Sequence, residues 1–185
     1  MARDTRSRMI AGAARLVGTR GAASMSLREL ARAAGVPIGS TYHHFPGGKQ
    51  QLVEEAVRSV GAHVTRRIEA GRDDGPAAAL EALADEWRDV LERTGFGSGC
   101  PVLAVATEDD PALGALATQV FEAWQESLTA VLVDAGVDEQ RAPRLAMLVV
   151  AAIEGAVALC RAERSLRPLE DSVVELRGLL DSALG

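Results

Sequence analysis

The segment from Ser26 to Lys49, SLRELARAAGVPIGSTYHHFPGGK, constrains the fold most, because residue types mark the ends of two consecutive short helices. Ser26 and Glu29 have the S-x-x-E spacing of a capping box, which predicts a helix that begins at about Leu27. Gly35 follows where a helix needs a left-handed residue in order to stop. The first helix of the pair is therefore about two turns long.

A second short helix is predicted from Ile38 to Phe45. Pro37 precedes it with a preset φ. Ile38, Tyr42 and Phe45 have the spacing i, i+4 and i+7, so we expect at least part of this face to pack inward. Gly39 would let the backbone come close to a partner. The opposite face carries small or hydrogen-bonding side chains and no carboxylate, namely Ser40, Thr41, His43 and His44. Two short helices joined by a glycine turn indicate a helix-turn-helix.

An acid-free helix face suits a surface that approaches DNA, since phosphate contacts dominate affinity and contacts to base edges select sequence. The charge distribution agrees, although the net charge of the whole chain is −6. Residues 1–60 hold nine arginine or lysine residues against four acidic ones, a net +5, whereas residues 61–185 hold 11 against 22, a net −11. The local field, rather than the total charge, meets the phosphates. DNA binding is therefore the predicted function.

Composition favours an all-α fold, because alanine, leucine, arginine and glutamate dominate, aromatic residues make up 3%, and β-branched runs are few. No stretch of about 18 apolar residues is free of charge, so a membrane span is not expected. The basic and apolar start of the chain is interrupted by Arg15 and Arg20 and has a helical period. We interpret it as the amphipathic first helix of a cytoplasmic protein.

The sequence contains no obvious catalytic or metal-binding set. His43 and His44 are adjacent on the second helix of the pair, and His63 has no carboxylate or thiol at ligand spacing. Phosphate-binding loops and dinucleotide fingerprints are missing as well. We interpret the acidic run 108–110 as the solvated start of a helix rather than a metal cluster. The expectation is a protein that is not an enzyme and holds neither a metal nor a cofactor.

Cys100 and Cys160 are far apart in a chain without a predicted secretion signal, so a structural disulfide is not expected. Two interpretations stay open. The first is a pair of buried, reduced thiols. The second is a thiol-based or small-molecule sensor with weak or no DNA binding, and the reactivity of the thiols distinguishes the two, since a buried inert thiol excludes redox sensing.

A long helix is predicted from Lys49 to about Gly71, after a turn at 46–48. Lys49 is the only lysine in the chain, and at the helix start its ammonium and the unsatisfied amides could hold one phosphate together. A solvent-facing lysine without a role is the alternative. We expect two domains: residues 1–48 as a three-helix domain that contains the helix-turn-helix, and residues 49–185 as a helical domain whose first helix is a rigid connector.

The residues Ala34-Gly35-Val36, Gly39, Tyr42 and Phe45 have fixed spacing and are followed by Lys49. They resemble the TetR family of transcriptional regulators, whose pattern is A-G-V-x-x-G-x-x-Y-x-x-F-x-x-K, with one extra residue here before the lysine. GSTYHHFPGGK, GCPVLAVATE at 99–108 and EGAVALCRAERSLRPL at 154–169 are similar to the LmrA/YxaF-like subgroup. The resemblance implies a homodimeric, ligand-responsive repressor whose partners are a palindromic double-stranded DNA operator and a small-molecule effector.

The resemblance also implies roles for single side chains in the first domain. Those that would hold phosphates are Ser26, Tyr42, His44 and Lys49. Those that would face bases are Arg28, Pro37, Ser40 and Thr41. Arg28 is expected to contact a guanine, because its guanidinium fork matches the two acceptors of that base.

Most of the scarce aromatic residues lie in the second domain and could line an apolar effector site. Phe121 and Trp124 share a helix face with Leu128. The full predicted lining is Leu83, Trp87, Leu103, Phe121, Trp124, Leu128 and Met147, and ordinary core packing explains each of these residues equally well. Glu154, the one acid within an apolar run, is either a polar contact for a ligand or across a dimer, or a solvent-facing residue.

The last two predicted helices, at about 138–164 and 169–184, are unusually apolar. On the first of them, Ala151 and Gly155 border the apolar face and would let another helix approach closely. Two adjacent helices of this kind predict a homodimer interface formed by about residues 138–184. The resemblance implies that these helices pair into a four-helix interface.

Overall fold

The computed structural model describes the backbone of residues 2–184 and the side chains of residues 5–184. All regular secondary structure in this part of the chain is helical, so the predicted all-α class is confirmed. The α-helices are α1 (Ala2–Arg20), α2 (Leu27–Ala34), α3 (Ile38–His44), α4 (Gly48–Ala70), α5 (Pro76–Arg93), α6 (Pro101–Ala106), α7 (Pro111–Asp134), α8 (Ala142–Glu163) and α9 (Arg167–Leu184).

The chain forms two compact units. The first comprises residues up to Val60 together with Cys100–Gln119, and the second comprises Gly61–Gly99 together with the residues from Val120 onward. Helices α4 and α7 each begin in the first unit and end in the second. The first unit thus contains α6, which lies beyond the expected domain boundary at residue 48. That boundary, as a division between independently folding domains, stays a prediction.

The core of the first unit is built from one face of each of its helices. Helix α1 packs against α2 and α6, and α2 packs against α3. The fully or almost fully buried side chains include Met9, Ala13, Val17, Leu30, Ala31, Phe45, Leu52, Val53, Val102 and Val105. Burial of these apolar surfaces, at about 25 cal/mol for each Å² removed from water, stabilises the short helices, which would be marginal in isolation.

Helix α8 begins later than the sequence predicts, at Ala142 rather than at about residue 138. The side chain of Asp138 accepts hydrogen bonds from the backbone N–H groups of Gln140 and Arg141, at 3.0 and 3.1 Å, and so forms a turn. Pro143 then lies in the first turn of α8, where its missing N–H costs nothing. The segment that follows α4 contains a 3-10 turn, Arg72–Asp74.

The two tryptophans lie at the centre of the second unit. Trp87 on α5 and Trp124 on α7 are buried, and their rings meet edge to face with centroids 6.5 Å apart. The indole Nε1–H of Trp124 donates to the backbone oxygen of Gly61 at 3.0 Å. Phe121 also meets Trp124 edge to face, at 5.4 Å. This cluster fixes the end of α4 that belongs to the second unit against α5 and α7.

Ion pairs hold α5 to its neighbours in the second unit. Arg88 donates to Glu170 on α9 and to Asp85, with N···O distances of 2.7 and 2.6 Å. The hydrogen bonds to Glu170 raise the pKa of the Arg88 guanidinium. His63, for which the sequence indicated no partner, lies with its Nε2 2.8 Å from a carboxylate oxygen of Glu86. The contacts of Arg88 with Glu170 and of His63 with Glu86 cross between helices and therefore have no signature in local spacing, whereas Arg88 and Asp85 are three residues apart on α5.

Helix α8 is the one described helix that could cross a membrane by length and composition alone. Half of its apolar stretch is buried inside the protein, and the core helix of a soluble protein passes the same test. Its burial against α5 and α9 accounts for the apolar residues on its inner side.

Candidate DNA-binding surface

Both ends of α2 have the geometry that its sequence predicts. The Ser26 hydroxyl accepts a hydrogen bond from the N–H of Glu29 at 3.2 Å, and the Glu29 carboxylate accepts from the N–H of Ser26 at 3.3 Å. Gly35 ends the helix in the left-handed region, with φ of 64°. These local contacts fix the length and direction of α2 before any tertiary contact is considered.

Glu29 also makes an ion pair with Arg20, at 2.7 Å. The hydrogen bond from Arg20, and then that from Ser26, lower the pKa of the Glu29 carboxyl. The one acid of α2 is thus turned toward the end of α1. Arg28, next to it in sequence, is exposed and has no partner among the described residues. The first turn of α2 therefore presents a cation to solvent.

At least part of the predicted inward face of α3 does pack inward, namely Phe45, which is fully buried. Ile38 and Tyr42 on the same face are 42% and 60% exposed, whereas Thr41, which was expected to face bases, is fully buried. A helix of two turns has only one or two side chains on each face, so its own apolar pattern fixes its rotation poorly. Packing of α3 against α2 and the rest of the first unit decides it instead, and it buries the small β-branched Thr41.

Thr41 must therefore be removed from the residues expected to face bases. Its side chain is fully buried, and no base edge can reach it in this conformation. Ile38 lies on the exposed side in its place. Sequence reasoning missed Ile38 because an isoleucine in a short amphipathic helix is normally assigned to the core.

The other residues predicted to contact DNA from α3 and its N-cap are all at least partly accessible. Pro37, Gly39 and Tyr42 are exposed, and Ser40 and His44 are half-buried. A side chain placed at Gly39 would meet no atom within 4 Å, so the backbone there is open to close approach. Helix α3 carries no carboxylate in its first turn. The surface formed by the first turn of α2 and the open side of α3 is hereafter the helix-turn-helix surface.

Two of the predicted phosphate ligands already have partners. The Ser26 hydroxyl donates its single proton to Glu29 at 2.9 Å, and it would have to leave that acceptor to bond a phosphate. The ammonium of Lys49 donates to the backbone oxygen of Ala23 at 3.0 Å, which leaves two of its three protons available for a phosphate. Their contacts to DNA stay predictions.

Two family models match the chain. Residues 9–56 match the model described as bacterial regulatory proteins, tetR family, and residues 76–173 match the C-terminal domain of LmrA/YxaF-like transcriptional regulators. An uncharacterized HTH-type transcriptional regulator of Mycobacterium tuberculosis is 38% identical over 95% of this chain and 93% of its own length. The HTH-type transcriptional regulator LmrA of Bacillus subtilis is 30% identical over 90% and 91%.

This chain belongs to the TetR family of transcriptional regulators. A crystal structure of a TetR transcriptional regulator from Chloroflexus aurantiacus has the same fold, with a TM-score of 0.76 and 29% identity over 95% of this chain and 93% of the other. The helix-turn-helix surface lies within residues 9–56, the segment that matches the tetR-family model.

The structure brings together only part of the effector site predicted for this TetR-family regulator. Leu83 and Trp87 on α5 are buried in the second unit, as are Trp124 and Leu128 on α7. Phe121 is half-buried and touches Trp124. The indole Nε1–H of Trp87 is buried and has no hydrogen-bond acceptor among the described residues. A ligand that carried an acceptor could satisfy it.

Two members of the predicted lining set lie elsewhere. Leu103 belongs to α6 in the first unit, not to the second. Met147 is 49% exposed on the outer side of α8. Linear spacing gave no means to assign either residue to a unit or to a helix face. Glu154 is 5% exposed, so the solvent-facing alternative is wrong and this carboxylate is buried in α8.

Both thiols of the regulator are buried, and neither forms a disulfide. Burial raises the pKa of the Cys160 thiol, which disfavours the reactive thiolate. The sulfur of Cys100 accepts a weak hydrogen bond from the N–H of Leu103 at the start of α6, at 3.5 Å. This environment matches the interpretation as buried reduced thiols.

The outer sides of α8 and α9 expose apolar and small residues. On α8 the exposed stripe consists of Leu148, Ala151, Gly155 and Leu159, and on α9 it contains Val174 and Gly178. A side chain placed at Gly155 or at Gly178 would meet no atom within 4 Å. The space beside both glycines is thus open to another helix.

Proposed function

We propose that this TetR-family regulator is a cytoplasmic repressor that binds a near-palindromic operator as a homodimer and is released by a small apolar effector. The helix-turn-helix surface carries the proposal, because it combines the exposed Arg28, which has no partner among side chains 5–184, with an open and acid-free side of α3. A dimer would place two such surfaces in successive major grooves. The half-sites should then be about one helical turn, or somewhat more, apart.

Ile38 adds an apolar element to the proposed contact with bases. The C5-methyl group of thymine is the apolar feature that the major groove offers. Because Ile38 is exposed in the first turn of α3, beside the open backbone of Gly39, we propose that it lies against such a methyl group.

Replacing one thymine of each half-site in turn by deoxyuridine tests this contact. At one position the wild-type protein should lose about 0.8 kcal/mol, or about fourfold in affinity, for each methyl group removed. Ile38→Ala should bind the thymine and deoxyuridine operators equally at that position. If Ile38→Ala keeps the full preference for thymine, the contact is assigned to the wrong residue.

The exposed stripes of α8 and α9 support dimerisation through these two helices. Leu148 and Leu159 would be buried on the partner subunit, and Gly155 and Gly178 would let helix backbones approach closely. Apolar stripes of this length at the end of a chain are rarely left in water.

Leu159→Glu should convert the dimer to a monomer at micromolar concentration, because the interface would have to bury an unpaired carboxylate. Ala112→Glu is the matched control, since Ala112 is exposed in the first turn of α7 and far from the stripes in sequence. Sedimentation velocity measures both variants. A Leu159→Glu protein that stays dimeric would place the interface elsewhere.

The effector site is proposed to lie among the buried aromatic residues of the second unit. Trp87, Trp124 and Phe121 supply apolar surface, the free Nε1–H of Trp87 supplies one donor, and Glu154 supplies a buried carboxylate. The proposed effector is therefore mainly apolar, with at least one hydrogen-bond acceptor.

A library of small apolar compounds, screened for release of a labelled operator, tests the repressor proposal. The tryptophans are the only two in the chain, so a true effector should also change intrinsic fluorescence at the concentrations at which it releases DNA. Transcription from a promoter that contains the operator should then rise. A compound that releases DNA without any change in tryptophan fluorescence would contradict the proposed site.

A further inference from the structure

Glu108 joins the turn between α6 and α7 to the turn between α1 and α2. Its carboxylate accepts hydrogen bonds from the backbone N–H groups of Ala22 and Ala23, and the bond from Ala23 is 3.0 Å long. Both partners are more than 80 residues away in the sequence and lie in the same compact unit. The interpretation of the acidic run as a solvated helix start fits Asp109, which is exposed, and Asp110, which caps α7 by accepting from Leu113 at 3.1 Å, but not Glu108.

The α1–α2 turn is shaped to receive this carboxylate. Gly21 has φ of +83°, and a Cβ atom placed there would lie 2.7 Å from Oε1 of Glu108. Any side chain at position 21 would therefore be strained and would collide with the carboxylate. Ala22, which donates one of the two hydrogen bonds, is itself buried. The contact is specific in geometry and partly protected from water.

Ala23 connects Glu108 to Lys49. The N–H of Ala23 donates to Glu108, and its carbonyl oxygen accepts from the Lys49 ammonium at 3.0 Å. One residue is thus held from both sides, by the α6–α7 turn and by the first turn of α4. The position of the Lys49 ammonium therefore depends on a turn that Glu108 fixes. Lys49 is also the side chain predicted to hold a phosphate.

We infer that Glu108 is a positioning residue for DNA binding, which acts through Ala23 on Lys49. The inference rests on the proposed function. Glu108 follows the end of α6 by two residues. Helix α7 starts just after it and continues into the second unit, which contains the proposed effector site. Glu108 therefore connects the start of α7 to the α1–α2 turn through its hydrogen bonds to Ala22 and Ala23.

The direction in which removal of the Glu108 carboxylate changes operator affinity separates positioning of Lys49 from simple electrostatics. Removing a carboxylate from a DNA-binding unit should by charge alone strengthen binding. If Glu108 positions Lys49, its removal should weaken binding to the operator instead, by about tenfold, since two hydrogen bonds to a charged group are lost. Asp109 is the matched control, because it is an exposed neighbour with the same charge.

The experiment measures operator binding of the full-length protein as a function of salt for Glu108→Ala, Asp109→Ala, Lys49→Ala and the Glu108→Ala/Lys49→Ala double variant. Lys49→Ala should flatten the salt slope by about one in the wild-type background and change it little in the Glu108→Ala background. Asp109→Ala should bind as well as the wild type or better. Glu108→Gln keeps the side-chain shape and one acceptor, and it replaces Glu108→Ala if that variant does not fold. Its operator affinity should lie between that of the wild type and that expected for Glu108→Ala.

Two results overturn the inference alone: equal operator affinity for Glu108→Ala and Asp109→Ala, or a Lys49→Ala effect that is the same in both backgrounds. Failure of the wild-type protein to bind any selected operator overturns the proposed function, and this inference with it. The two failures are therefore distinguishable, because the wild-type measurement comes first.

Discussion

Arg28→Ala is expected to weaken operator binding by about 1–3 kcal/mol for each half-site and to relax the preference at one base pair. Arg28 is exposed in the first turn of α2 and has no ion-pair partner among the described residues, whereas nearby Arg20 is held by Glu29. Its guanidinium is therefore available without the loss of an internal contact. A guanine presents two acceptors in the major groove that match the guanidinium fork.

Two variants separate base recognition from loss of charge. Arg28→Lys keeps the positive charge but not the planar fork, so it should retain the salt slope and lose the base preference. Arg58→Ala removes an exposed cation from α4 and should leave the preference unchanged. The affinities of all three variants are measured for operators that are altered at each position in turn. Equal loss on every sequence for Arg28→Ala would show that Arg28 contacts phosphate and not a base.

Phe45→Ala should destabilise the first unit by about 3–5 kcal/mol, the usual cost of removing a buried phenyl ring. Phe45 is fully buried at the end of α3, and the guanidinium of Arg6 lies over its ring, 5.2 Å from the centroid. The loss is a large part of the 5–15 kcal/mol by which typical proteins are stable. DNA binding should therefore fail because α3 is no longer held in place. Urea unfolding should show the decrease in the free energy of unfolding directly.

Tyr42→Ala is the matched control, since it removes an aromatic ring three residues earlier from the exposed side of the same helix. Its free energy of unfolding should stay within about 0.5 kcal/mol of the wild-type value. Operator affinity should nevertheless fall, because the proposed phosphate contact of Tyr42 is lost. A destabilisation by Tyr42→Ala as large as that by Phe45→Ala would contradict the observed orientation of α3.

The first and last residues of α2 could be predicted from the sequence because the residues that mark the two helix ends act locally. A capping box at Ser26 and a left-handed Gly35 each act within four residues of the helix end. The rotation of α3 could not be predicted in the same way. Ile38 and Phe45 are both apolar, but Ile38 is 42% exposed and Phe45 is fully buried, and only packing in the first unit decides which of the two is buried.

Contacts over long sequence separation account for the other differences. Nothing near Glu108 in the sequence indicates that its carboxylate bonds to Ala22 and Ala23, although Gly21 could be recognised as a helix stop. The same holds for His63 and Glu86. In the effector region, periodicity identified apolar residues such as Trp124 and Leu128 correctly as buried, but it could not tell that Leu103 belongs to the other unit.

The most direct test of the account is selection of DNA fragments by the purified wild-type protein from a random pool, followed by binding of the enriched sequence over a range of salt concentrations. We expect enrichment of one near-palindrome with half-sites about one helical turn apart, and an affinity that falls steeply with salt. A folded dimer that enriches no sequence would contradict it and would favour a sensor without DNA-binding activity.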